Sequence, residues 1–223
     1  MEVQIKSCIE GASQARELTV IIDVFRSSNT IIASLAQGAD FVIPVGKLEE
    51  AYRLKKAHPD HLLIGERKSQ TPEGFDFGNS PSRAASTDLK NKQVILTTSA
   101  GTQGIVAAEE ADEILIASFA NAGSVLEYIR RKNPPLVTLA PMGFESSEKA
   151  YEDEQCALYL KEQIKGQPSD FEAMKKKILN CKGADRLRSI GREDDLRYAL
   201  QLDVHHIVPR FNPEKQRLEP IHL

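Results

Sequence analysis

The sequence predicts an α/β fold in which a mostly parallel sheet is covered by helices on both sides. Short apolar runs rich in β-branched residues alternate with amphipathic helical segments along most of the chain. The runs are nearly continuous apolar stretches, as expected of strands buried on both faces. At 223 residues the chain can also bury a full core.

The first strand runs from Leu18 into Asp23, and a helix follows through Ile31–Ala36. Residues 41–45 read as strand, 48–56 as helix and 62–66 as a third strand. A polar stretch from about Arg67 to Thr87 then interrupts the alternation. A loop of that length inside a compact domain is expected to be functional or disordered, and Phe75 and Phe77 argue against disorder. The alternation resumes with a strand at 94–98, a helix through 105–108, a strand at 114–117 and a helix at 125–129. A strand at 136–140 and a helix from Glu152 to Ile164, with Cys156, Leu160 and Ile164 on one face, complete it. After Gly166–Ser169 comes a highly charged helical region, Phe171 to Leu202, and Val204–Val208 is expected to return as an edge strand. One domain is expected over 1–223, with a subdivision near 166–169 as the alternative.

Composition excludes several classes. A net charge of −3 offers no bulk attraction to nucleic acid or an anionic membrane. No apolar run approaches the ~20 residues that span a bilayer, and Met1–Lys6 lacks the basic and apolar regions of a secretion signal. Three widely spaced cysteines form no disulfide framework, so a reducing cytoplasm is expected. A homodimer is the base-rate expectation for a small α/β protein of this kind.

The strand ends carry the chemistry. Asp23 interrupts an apolar run, and a carboxylate there is costly to bury unless paired or bound to metal. Arg26 follows, then Ser27, Ser28, Asn29 and Thr30 open a helix whose unpaired N–H groups favour an anion. The bland reading is an Asp23–Arg26 ion pair or a helix cap. Glu66–Arg67 repeats the acid–base doublet, and Thr97–Thr98–Ser99–Ala100–Gly101–Thr102 is a hydroxyl-rich turn able to cradle an anion. Gly74–Pro81 reads either as a tight turn and nothing more or, with two aromatics flanking an aspartate, as a loop pinned so that Asp76 and Asn79 face inward. Ser118 and Asn121 follow the 114–117 strand. Glu148, Glu152, Asp153 and Glu154 form an acidic patch suited to a hard cation such as Mg²⁺, although a helix dipole alone accounts for acids at that position. In a parallel sheet all these ends lie along one edge and should converge, which reads as a phosphate-handling site. A Walker A loop, a G-x-S-x-G elbow and a G-x-G-x-x-G turn are absent. Arg186 and Arg188 miss the cysteine-phosphatase spacing from Cys181, and His205–His206 lack zinc-spaced partners.

The blocks Ile22–Ile31, Gly65–Arg67, Gly74–Pro81, Thr97–Thr102, Ser118–Asn121 and Glu152–Ala157 together resemble the 2-phosphosulfolactate phosphatase family. The Gly-Phe-Asp-x-Gly-Asn-Ser-Pro block is the most specific. Ala100 stands where that family usually shows Asn. The resemblance implies a three-layer α/β/α sandwich with a mostly parallel sheet and a helical C-terminal region. It also implies a Mg²⁺-dependent acid phosphatase that converts (R)-2-phospho-3-sulfolactate to (R)-3-sulfolactate and phosphate, a step of coenzyme M biosynthesis in methanogens. On that reading Mg²⁺ sits among Asp23, Glu152 and Asp153, with Glu66 or Asp76 as a further ligand. Arg26 and Arg67 hold phosphoryl oxygens, or one of them the sulfonate. Ser27, Ser28, Asn79, Ser80, Thr98, Gly101, Thr102 and Asn121 contact the substrate. The nucleophile is either metal-bound water or Asp23 itself. The alternatives are a phosphatase for another small phosphorylated acid, or a non-catalytic phospho-ligand-binding protein.

Overall fold

The computed structural model describes residues 1–223 and is built on a ten-stranded sheet. Its strands are β1 (Glu2–Ile5), β2 (Leu18–Ile22), β3 (Phe41–Val45), β4 (Leu62–Gly65), β5 (Phe77–Gly78), β6 (Gln93–Thr97), β7 (Glu113–Ala117), β8 (Leu136–Pro141), β9 (Ile207–Asn212) and β10 (Arg217–His222). Across the sheet they lie in the order β1-β8-β2-β7-β9-β10-β3-β6-β4-β5. The helices are α1 (Cys8–Ser13), α2 (Ser27–Ala36), α3 (Leu48–Ala57), α4 (Pro81–Ala85), α5 (Gly101–Ala107), α6 (Ala122–Lys132), α7 (Tyr151–Ile164), α8 (Phe171–Ile178), α9 (Lys182–Ser189) and α10 (Glu193–Ala199).

Alternate residues of the strands enter two large cores, and a third, smaller one gathers Val45, Leu63 and Ile95 with Ala51 of α3. Val20, Ile22, Leu115, Val137 and Leu139 pack beneath α6, α7 and the helices that follow. Ile21, Ile116, Ala140, Val42, Ile64 and Leu96 face the other way, against α2 and α5. Both faces of each strand are therefore apolar, the pattern of a sheet inside an α/β sandwich. The charged region expected to be helical over 171–202 forms three short helices, α8, α9 and α10.

Within the sheet, β1-β8-β2-β7 form one parallel block and β3-β6-β4-β5 another. The antiparallel hairpin β9–β10 lies between them and reverses direction from one block to the other. Neighbouring strands rotate by roughly 20 to 25°, so the five steps from β2 to β6 turn the strand direction through more than a right angle. That twist brings the C-terminal ends of β4 and β6 back towards the ends of β2 and β8.

The expectation of an edge strand at 204–208 is corrected here. The strand begins at Ile207 and lies in the middle of the sheet, because Asp203 and His205 are still bound to the turn at 119–120: their N–H groups donate to the carbonyls of Phe119 and Ala120. Pro209 faces Pro220 across the hairpin, removing two donors. The hairpin meets each outer neighbour through one residue pair, Leu115 with Arg210 and Leu218 with Val42. The polar stretch from Arg67 to Thr87 is also more ordered than a loop, since it forms β5 and α4.

Nine of the ten residues of α2 are buried, hydroxyls included. Buried polar groups need partners, and all of these have one except the Asn29 amide oxygen. Ser28 Oγ accepts from the Asp23 amide at 2.9 Å, Asn29 donates to the Val24 carbonyl and to Ser118 Oγ, and Ser34 donates to the Thr30 carbonyl. Thr30 donates to Asn79 Oδ1 at 2.7 Å. The hydroxyl cluster after Asp23 thus lets a helix run through the middle of the molecule.

At the surface of the hairpin, Glu219 gathers Arg217 at 2.8 Å and both Asn212 and Lys215 at 3.2 Å. The bond from Arg217, reinforced by Asn212 and Lys215, lowers its pKa from 4.5 to about 2. A depressed carboxyl pKa contributes stability that is present above the unfolded value and lost as pH falls through the folded one. Glu219→Gln is expected to lower Tm at pH 7 by about 1 to 3 °C. That difference should close as pH falls from 4.5 to about 2, measured by thermal melts across the acid range.

Candidate active site at the strand ends

Asp23 ends β2 with its carboxylate turned towards α5. Its Oδ2 accepts the Gly101 N–H at 2.9 Å. A Cβ at position 101 would lie 2.6 Å from Ser27 and 2.9 Å from that oxygen, so only glycine allows this approach. Burial raises the Asp23 pKa to about 7, the charges of Glu66 and Glu152 push the same way, and the Ser27 and Gly101 amides pull against them.

The other acids are held by backbone amides from neighbouring turns. Glu66 Oε1 accepts the Ser99 N–H at 2.7 Å, and Oε2 accepts the Ser69 N–H at 2.7 Å and Ser99 Oγ at 3.1 Å. Asp153, in the first turn of α7, accepts the Val24 N–H at 2.7 Å and the Gly143 N–H at 2.9 Å. Burial, with the charges of Asp23 and Glu152, raises its pKa well above the usual range. Glu152 is raised by burial too, and takes the Cys181 thiol at 3.3 Å. Arg26 is buried and donates to Asp195 of α10 at 2.7 Å. Asp195 also accepts the Ser80 and Ser82 hydroxyls, each at 2.6 Å.

Asp23, Arg26, Glu66, Asn79 and Ser99 line one pocket of about 40 Å³, closed by the turn at 143–145 and by Arg186 and Leu187 of α9. Its volume takes about three water-sized groups, the scale of one phosphoryl or sulfonate group. Strand ends from both sheet blocks therefore do meet.

Other expected site residues lie elsewhere. Asp76 takes the Leu63 amide at 2.7 Å and Lys55 at 3.5 Å, away from Asp23. The Arg67 guanidinium is spent on the carbonyls of Glu66 and Gly46 and on Thr97 Oγ1, and it lines a neighbouring depression. Thr98 and Thr102 cap one another, each hydroxyl accepting the other's amide. Asn121 is fully buried and ties Ser118 to the carbonyls of Ile116 and Ile207. Ser80 caps α4 and holds Asp195, while Ser27 and Ser28 are buried within the turn. Glu152 opens onto an adjoining groove rather than this pocket. Asp76 thus stands apart from the other expected carboxylates, and no three His, Cys, Asp or Glu side chains come close enough together to hold a metal ion by themselves.

Two groups at the site escaped the sequence reading. Asp195 sits among Glu193 and Asp194, which read as dipole-complementing acids, and its one signal is its place on the buried stripe with Leu196 and Ala199. Arg186 has no sequence signal beyond its spacing from Cys181, yet α9 turns it towards the pocket.

An α/β sheet whose strand ends gather acids and an arginine about an oxyanion-sized pocket defines a protein that handles small phosphate esters. The chain belongs to the 2-phosphosulpholactate phosphatase family, whose model matches residues 4–214, a family of phosphoric monoester hydrolases. It is 34% identical over 216 residues to a probable 2-phosphosulfolactate phosphatase of Pseudothermotoga lettingae, covering 91% of this chain and 92% of that protein. A Clostridium perfringens protein of the same description is 29% identical over 222 residues, covering 91% and 89%. A Thermotoga petrophila protein of that description is 43% identical over 121 residues, 54% of this chain and about half (52%) of the relative's length.

A carboxyl whose folded pKa is raised gives up stability as pH climbs from its unfolded value through its folded one. Asp23→Asn removes that charge. In metal-free buffer the Tm of the variant relative to the natural chain should therefore increase from about pH 4 to about pH 7 and level off above, read by calorimetry at half-unit intervals. A constant difference across that range contradicts the assignment.

Proposed function

We propose that this protein is a Mg²⁺-dependent phosphatase that hydrolyses 2-phospho-3-sulfolactate to 3-sulfolactate and phosphate. The observation that carries the reading is the meeting of Asp23, Arg26 and Glu66 around one oxyanion-sized pocket in a chain of this family. Phosphate-monoester hydrolysis depends on positioning and on stabilising charge at the transferring group. Arg26 suits the second task. Asp195 fixes one of its nitrogens, and the planar fork leaves further N–H groups for phosphoryl oxygens.

The donor set fits a hard cation. Asp23 and Glu66 line the pocket, and Mg²⁺ is commonly held by one or two carboxylates together with substrate oxygens and water. Asp23 is buried with no cationic partner, which is the charge such an ion would offset. Asp23 and Glu66 would hold Mg²⁺, with Asp153 fixing the turn that carries Asp23 and the Ser69 and Ser99 amides fixing Glu66. Bound there, the ion neutralises charge on the phosphoryl oxygens. Asp23 is the group at the pocket able either to attack phosphorus or to take the proton of an attacking water. Stereochemistry at an isotopically chiral phosphoryl group separates the two, since two successive displacements through Asp23 retain configuration and a single displacement by water inverts it. Three free cysteines and the lack of any helix long and apolar enough to cross a membrane accord with action in the cytoplasm.

Phosphate release from phosphosulfolactate should require Mg²⁺ and stop with EDTA. Asp23→Asn should lower kcat by about 10³-fold or more, and Arg26→Lys should lower kcat/KM by about 10²-fold. Release that is insensitive to EDTA, or that survives in Asp23→Asn, refutes the reading. Asp195→Asn removes one partner of a buried ion pair, a change worth about 3 to 5 kcal/mol. It should reduce kcat/KM and also lower Tm, whereas Asp194→Asn next to it, at an exposed position, should do neither.

A further inference from the structure

The pocket beside Asp23 holds no more than the transferring group, so the rest of a substrate must leave it. Two openings are available. Past Lys68 and Ser99 lies a depression of about 610 Å³ that contains Arg67. Past Phe144 and Arg186 lies a groove of about 1000 Å³ between α7, α8 and α9. The Arg67 guanidinium already donates to two carbonyls and a hydroxyl, which leaves it little capacity for a ligand. Arg186 is different. Its guanidinium stacks on the Phe144 ring at 4.1 Å from ring centre, and no carboxylate lies within ion-pair distance of it. Stacking fixes the plane of the fork while leaving its N–H edges open. The groove beyond has five cationic side chains against two carboxylates.

Charge balance points the same way. The pocket itself contains Asp23 and Glu66, and its Arg26 is paired with Asp195. A substrate with a second strong acid beyond the ester meets two cations without a carboxylate partner at the pocket's rim, Lys68 and Arg186. Lys68 is exposed, whereas Arg186 is fixed in place by its stacking on Phe144.

Resting on the phosphatase reading above, we infer that Arg186, held flat by Phe144, reads the second oxyanion of the substrate as it emerges from the pocket. Arg186 is thus the residue that selects a sulfonate-bearing phosphate ester over one that lacks the sulfonate. The ligand class is a small phosphate ester with an anionic group a few bonds from the ester oxygen. A planar, charge-assisted pair of this kind discriminates by about 10- to 100-fold.

The test compares two esters, 2-phospho-3-sulfolactate and 2-phospholactate, which has the same frame without the sulfonate. The ratio of their kcat/KM values should favour the sulfonate in the natural chain and fall about 10- to 100-fold in Arg186→Gln, chiefly through KM. Arg186→Lys should recover part of the ratio, since the charge remains and the fork is lost. Phe144→Leu should reduce it less than Arg186→Gln. An unchanged ratio in Arg186→Gln, or a ratio lost in Lys68→Gln instead, overturns the inference. Calorimetric binding of 3-sulfolactate against lactate to the natural chain and Arg186→Gln gives an answer that needs no turnover. If the natural chain hydrolyses neither ester, the phosphatase reading fails by itself, while the binding preference still decides for or against Arg186.

Discussion

The architecture depends on buried carboxylates that accept backbone N–H groups from turns on other strands. Asp153 joins the turn after β2 to the turn after β8, Asp23 reaches the start of α5, and Glu66 spans from β4 to the turn after β6. Each such bond involves a charged acceptor in a region of low dielectric, where losing a partner costs about 1.5 to 3 kcal/mol or more. The same bonds leave negative charge packed together at one place. Stability alone would have been better served by neutral side chains, so the acids are the part of the design that chemistry explains.

Arg26 shows how the two demands are combined. It is buried where a cation would help a phosphoryl group, and Asp195 prevents it from being an unpaired charge when no ligand is present. Asp195 in turn draws Ser80 and Ser82 towards it, so the segment at 79–82 and α10 are both anchored to the turn after β2. The helical C-terminal region is thereby part of the site's wall and not an appendage to the sheet.

Much of this was legible in the chain. The parallel blocks follow from apolar runs at regular spacing, and the turn at Asp23–Arg26 announced itself because a carboxylate is costly inside a strand. The hairpin β9–β10 was harder to see. Each of its strands contains a proline, which ordinarily marks an edge, and only the pairing of Pro209 with Pro220 makes a central position workable. Site residues divided along a similar line. Sequence identifies side-chain types at strand ends but not what already occupies them, and Arg67, Asp76, Thr98 and Asn121 are engaged with their own neighbourhood. Arg186 and Asp195 belong to short charged helices, where periodicity reveals a buried stripe but gives no hint of a distant partner.

The placement of β9 and β10 also bears on how the molecule comes into being. These strands follow every other element in chain order, yet they are the seam between the two halves of the sheet. On a ribosome both blocks emerge with an open margin facing the place the hairpin will take, and such margins invite pairing with the wrong chain. Until the hairpin pairs with Leu115 on one side and Val42 on the other, both margins stay open, so its docking is the step that joins the two blocks into one sheet.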